Sequence, residues 1–130
     1  MSSAHLLGLY MAECSERQFS WRDWNCAHFA AGWVQRVTGI DALAGLPPTP
    51  SGPAAARVTR RIGATLADAV QQRLGFEDCA PAEARVGDLV LIEHKALGIC
   101  TGEQAVVLLV GGGIGFVPMR EATHAWRVGP

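Results

Sequence analysis

Phe19-Ser-Trp-Arg-Asp-Trp-Asn-Cys-Ala-His-Phe-Ala-Ala-Gly-Trp-Val-Gln-Arg-Val-Thr-Gly39 decides how this chain reads. A polar, aromatic turn ends in Asn25-Cys26, and an apolar helical pattern follows at once. Ala27, Phe29, Ala30, Trp33, Val34 and Val37 recur at helical spacing. Thr38-Gly39 then supplies a glycine free to end the helix in a left-handed conformation. The spacing predicts a helix over 26–37 that opens on a thiol. Backbone N–H groups in a first turn lack intrahelical partners, and with the positive end of the helix dipole they favour a thiolate. A thiol so placed is a candidate nucleophile, and its chemistry depends on whether the chain also brings it a base.

Upstream, Leu6, Leu7, Tyr10, Met11 and Cys14 predict a first helix over 4–17, and residues 18–24 form an aromatic loop. Downstream, residues 40–46 read as an irregular stretch. Residues 46–53 carry four prolines and read as an exposed loop. One helix is predicted over 54–73. Its buried stripe is Val58, Ile62, Leu66, Val70 and Leu74, its polar parts carry Arg57, Arg60, Arg61 and Arg73, and Gly75 caps it. From Arg85 onward the pattern is that of strands, over 88–93, 97–101, 104–110 and 114–118. Turns at Thr101-Gly-Glu and Gly111-Gly-Gly join them. Gly111-Gly-Gly-Ile-Gly115 lies between two strands, so a hairpin turn is expected there and not a phosphate loop. Residues 119–128 are expected to pack back on the sheet. Helices first and strands second predict an α+β domain over 1–130, with N-terminal helices packed on a C-terminal antiparallel sheet of about four to six strands.

The chain is 49% hydrophobic and 18% charged, with a net charge of −1. Nothing in that balance draws it to nucleic acid or to an anionic membrane. No apolar run approaches the roughly 20 residues that span a bilayer. The opening Met-Ser-Ser-Ala-His lacks the basic start of a signal peptide. The expectation is a protein kept in a cytoplasm or carried out within a larger assembly. Cys14, Cys26, Cys79 and Cys100 form no CxxC pair and fit no common zinc spacing, so no metal and no cofactor is implied.

A base for Cys26 would come from His5, His28, His94 or His124. His28 is two positions along the same helix, where side chains do not face each other. It reads as a polar residue at the helix edge. His5 and His124 read as surface residues. His94 follows the first strand, in a turn with Glu93 and Lys95, and reaches the thiol only if that turn folds over the helix start. Trp21 and Trp24 flank the turn before Cys26 and, with Asn25 and His28, would wall a groove.

Phe19-Ser-Trp21, Asn25-Cys26-Ala-His-Phe-Ala-Ala-Gly-Trp-Val and Thr38-Gly39-Ile-Asp41 resemble the N-terminal signature of NlpC-type cysteine peptidases, a papain-like superfamily. They resemble most a small branch found among phage and prophage tail genes. Arg85-Val-Gly-Asp88-Leu-Val-Leu-Ile is similar to that family's "GD" strand, and Ala96-Leu-Gly-Ile-Cys-Thr-Gly102 to its next strand. Phe116-Val-Pro-Met and Ala125-Trp-Arg-Val128 resemble the ending of the tail-associated branch. The resemblance implies that Cys26 stands where the nucleophile stands. It also implies that the family's catalytic histidine falls on Ala96, which cannot take a proton. His94, two positions earlier, shares a face with Ala96 if the strand begins early, displaced by about 6–7 Å. The family's third polar residue falls near Glu103 or Gln104.

Three readings follow. In the first, the domain is catalytically degenerate and serves as a structural or assembly component of a phage-like tail. It would contact other tail-tip proteins, and would sit in the bacterial cytoplasm during assembly and in the virion tail afterwards. In the second, it is a cysteine hydrolase of peptidoglycan peptides, with Cys26 as nucleophile, His94 as relocated base and Glu103 or Gln104 as orienting group. In the third, it is a cytoplasmic binding module.

Overall fold

The computed structural model describes residues 2–129; the expected domain limits at 1 and 130 lie outside them. Helix α1 spans Ser3–Cys14 and α2 spans Cys26–Thr38. Tyr10 of α1 stacks on Phe29 of α2 at 5.7 Å between ring centroids, lies 5.8 Å from Trp33, and donates its hydroxyl to the Phe29 carbonyl at 2.6 Å. The first helix is shorter than the sequence pattern predicts. It stops at Cys14, and Arg17 turns back to lie 3.6 Å over the Trp24 ring.

The helix expected over 54–73 is instead two, α3 over Gly52–Ile62 and α4 over Leu66–Leu74. Each starts on its own cap, Ser51 accepting from the Ala54 N–H and Thr65 from the Asp68 N–H. Between them Gly63 runs extended against the start of α4. A Cβ there would sit 2.7 Å from the Ala69 nitrogen, so this close turn tolerates no side chain. Helical periodicity carries across the break, which is why the pattern reads as one helix.

Six strands form one sheet among the described residues: β1 Asp78–Cys79, β2 Leu89–Ile92, β3 Ala96–Cys100, β4 Gln104–Leu108, β5 Ile114–Pro118 and β6 Ala122–Trp126. All pairings are antiparallel, in the order β1-β6-β2-β3-β4-β5. The last segment thus inserts as β6 beside β2, and the two-residue β1, too short to show alternation, pairs along it. The α+β arrangement expected from the sequence is the one observed.

Alternation divides the sheet. Leu89, Leu91, Leu97, Ile99, Val106 and Trp126 face the helices and join Leu7, Phe29, Trp33 and Val34 in the main core. Val90, Ile92, Cys100, Ala105, Val107 and Ala125 form a second cluster on the opposite face, packed with Cys79, Ala84, Val117 and Met119. Ala96 pairs with Ile92 and so belongs to that second face.

Gly87-Asp88 has a structural task at the entry to β2. Gly87 adopts φ +95°, accepts from the Trp33 indole N–H at 2.7 Å, and would bring a Cβ within 3.3 Å of that ring. Asp88 is buried and binds the Arg85 N–H at 2.9 Å, the Val128 N–H at 3.2 Å and the Arg127 guanidinium at 3.1 Å. The pair therefore ties α2, the start of β2 and the C-terminal segment together.

Candidate functional site

Asn25 builds the start of α2. Its side chain accepts from the N–H groups of Ala27 at 2.9 Å and His28 at 3.3 Å. The His28 ring Nδ1 reaches back to accept from the Asn25 N–H at 3.1 Å. This reciprocal cap satisfies first-turn donors that would otherwise be orphaned. The Asn25 amide also donates to the Trp21 carbonyl and the Thr49 hydroxyl, at 2.7 Å and 3.3 Å, so the aromatic turn and the proline-rich loop are pinned to the helix start. The fold uses His28 as an acceptor, which requires a neutral ring. Burial holds its pKa below the ordinary value, with Asp23 opposing and Arg17 assisting.

Cys26 follows, half-buried, at the floor of a cleft of about 720 Å³. The cleft runs between the start of α2, the proline-rich loop, α3, α4 and the β2–β3 turn. Its walls are mostly apolar: Leu43, Leu46, Val58, Ile62, Leu66, Val70 and Leu97. Desolvation pushes the Cys26 thiol pKa up, and the backbone N–H groups of Leu97, Cys26 and Ala27 only partly offset it. The helix terminus expected to lower this pKa is present, but burial outweighs it.

His94 lies on the same cleft, at its rim. It does not reach there as an early part of β3. Glu93 and His94 have φ of +50° and +60°, and the Lys95 N–H donates to the Ile92 carbonyl at 2.9 Å. That is a β-turn over 92–95 with two left-handed central residues, a conformation that normally selects Asn-Gly, and since Ile92 pairs with Ala96 the connection is three residues long. The turn is held from the side, by the Glu93 N–H on the Glu121 carbonyl at 3.0 Å and the His94 N–H on the Thr123 hydroxyl at 3.2 Å. The His94 ring packs edge-on against His124 at 5.4 Å, and His124 stacks on Trp126 at 6.0 Å. Among the described residues no imidazole is hydrogen-bonded to the Cys26 sulfur, and the groups acting on the thiol are all backbone N–H.

The remaining candidates divide. Trp21 lines the cleft and is 41% exposed, with Gly52 of α3 against its ring. Trp24 does not line it. Its ring is buried on the opposite side of α2, edge-on to Phe29 and beneath Arg17. The groove wall expected from both tryptophans is therefore made by one. Glu103 and Gln104 stand at the β3–β4 turn, where the Thr101 N–H meets the Gln104 carbonyl at 2.8 Å. This is the far end of β3 from Cys26, about 16 Å along the strand from Ala96. Neither lines the cleft, so neither can orient a base there. Ala96 points to the other face of the sheet, and the β3 residue presented to the thiol is Leu97.

The sequence reading missed Leu97, because a hydrophobic residue in a strand signals core. It also missed Arg22, Arg60, Arg73 and Lys95 as cleft residues. Arg60 of α3 and Arg73 of α4 meet the same cleft because of the α3–α4 turn, which the helical pattern concealed, while Arg22 comes from the loop before α2 and Lys95 from the β2–β3 turn. No group of three or more His, Cys, Asp or Glu side chains among the described residues is placed to hold a metal ion. No helix there is long and apolar enough to cross a membrane.

A family model described as "Domain of unknown function (DUF6950)" matches residues 3–128, and the chain belongs to that family. No curated protein matches it.

Proposed function

We propose that this DUF6950 domain is a catalytically degenerate NlpC-like, papain-type domain, serving as a structural or assembly component of a phage or phage-like tail. Its Cys26 cleft holds a ligand and does not cleave one. The observation that carries the loss of catalysis is Leu97, the β3 residue facing the thiol where a base would be needed. A thiol hydrolase requires a thiolate and a positioned acid–base group, and the latter alone contributes about 10²–10⁴-fold. Here burial favours the protonated thiol and no carboxylate lines the cleft. The papain-like reading is supported by a cysteine opening a helix against the central strands of an antiparallel sheet. The tail setting is supported by the resemblance of residues 19–41, 116–119 and 125–128 to the tail-associated branch. Neighbouring tail-tip proteins are the partners this reading assigns.

One observation favours the second reading, a hydrolase of peptidoglycan peptides: His94 shares the cleft with Cys26. Cys26→Ala separates the two. Carried in a phage that encodes the domain, it is expected to leave tail assembly and infectivity unchanged. A loss of wall degradation by intact particles with normal assembly would contradict the proposal and support Cys26 as a nucleophile, and the same loss with His94→Ala would support His94 as its base.

A further inference from the structure

We infer that the Cys26 cleft binds a single-chain aliphatic anion of the long-chain carboxylate type, its tail along α3 and α4 and its head group at the rim. The inference rests on the reading of the cleft as one that holds its ligand intact. Three observations converge on it.

The first is an apolar surface without a protein partner. Helix α3 packs mainly on α4 and buries Ala54, while Val58 and Ile62 stay half-buried and face the cleft. Leu66 and Val70 of α4, which pack on the main core, line the cleft beside them. The volume, about 720 Å³, is in the range of sites that enclose small molecules, roughly 300–1,000 Å³.

The second is charge. The chain has 12 acidic and 11 Lys and Arg residues, yet the cleft is lined by Arg22, Arg60, Arg73 and Lys95 and by no Asp or Glu. The ion pairs found among the described residues, Arg36–Glu13 and Arg127–Asp88, lie elsewhere. Arg73 donates its guanidinium to the Ala42 and Ala44 carbonyls, at 3.0 Å and 2.7 Å, and is committed there. Arg22, Arg60 and Lys95 lack acidic partners among the described residues, and an anion complements them.

The third is the state of the polar wall. Asn25 is committed to the α2 cap, Thr49 donates to the Trp21 carbonyl, Thr59 donates to the Ala55 carbonyl, and Thr65 caps α4. A peptide laid in this cleft would bury amide groups with few free partners, each at substantial cost. A hydrocarbon chain carries no such groups.

The test is displacement of the fluorescent polyene carboxylate cis-parinarate from the full chain, below the micellar concentration of each competitor. Palmitate is expected to displace it, and shorter carboxylates to weaken about fourfold per methylene removed. Hexadecanol, of equal tail length, is expected to bind about tenfold more weakly at low salt. Val58→Ser and the double change Arg60→Ala with Lys95→Ala should each weaken palmitate several-fold. Phe116→Ser, at an exposed apolar residue outside the cleft, should leave it unchanged. Absence of displacement, equal affinity for acid and alcohol, or an equal loss with Phe116→Ser would overturn the inference. Palmitate has no bond for Cys26 to cleave, so the titration reads ligand class alone. Wall hydrolysis together with normal palmitate binding would contradict the proposed function and leave the ligand class standing.

Discussion

Helices α2 and α3 are of similar length, 13 and 11 residues, and each is apolar along one side, but the fold uses those sides differently. Helix α2 turns Phe29, Ala30, Trp33 and Val34 into the core, where each is nearly or fully buried. Helix α3 turns Val58 and Ile62 towards an open cleft and packs mainly on α4. An apolar stripe thus marks a surface that will be covered, without saying whether protein or ligand covers it. In α2 the cover is the sheet. In α3 we assign it to a bound chain.

The largest expected effect lies on the α2 side. Trp33→Ala empties a fully buried site and strands the Gly87 carbonyl, so denaturant unfolding should show a loss of about 3–5 kcal/mol. A loss below about 1 kcal/mol would mean α2 is not the core helix described here. Next is the helix start. Asn25→Ala removes the cap acceptor and the tie to Trp21, at an expected cost of about 0.5–2 kcal/mol in the same assay. It should also increase protease sensitivity in the 46–53 loop, which Asn25 holds through Thr49. On the α3 side, Val58→Ser should change stability by less than about 1 kcal/mol while weakening ligand binding. A destabilisation matching Trp33→Ala would erase the contrast between the two helices.

The smallest effect is a pH dependence. The folded pKa of His28 is depressed below its ordinary value, so on acidification the unfolded chain takes up the proton first. Stability from the neutral cap is therefore full above about pH 6.5 and is lost as pH falls from there towards the folded value. Thermal melts from pH 8 to 5 should show that decline. His28→Gln, which can still accept from the Asn25 N–H, should remove the part of the slope due to this residue. An unchanged slope would show that the ring does not serve as the cap acceptor.

The sequence made some of this legible because the signals were local. Asn25-Cys26 and Thr38-Gly39 bound α2 by cap chemistry, and the observed helix is 26–38 with Gly39 left-handed at φ +78°. The glycine turn at 111–113 closes a hairpin as its composition predicts, with the Leu109 N–H on the Gly113 carbonyl at 3.0 Å. What stayed hidden depends on contacts distant in sequence. The break at Gly63 follows from crowding against α4, which periodicity does not register. The place of β6 beside β2 and the face taken by Ala96 follow from register, which a one-residue shift inverts. His94 was found as a candidate but for a different geometry. It meets the cleft through a left-handed turn braced by residues 121–124, and a histidine in such a turn carries no motif.

The central claim is that Cys26 occupies a nucleophile's position without a nucleophile's poise. The most direct measurement is the pH dependence of iodoacetamide alkylation at Cys26, read by mass spectrometry against Cys79. Cys79 is also half-buried with its thiol pKa raised by desolvation, and so serves as an internal reference. The account predicts slow modification of Cys26 at neutral pH, acceleration only above the ordinary thiol range, no advantage over Cys79, and no change with His94→Ala. A rate plateau at neutral pH, many-fold above Cys79 and abolished by His94→Ala, would contradict it.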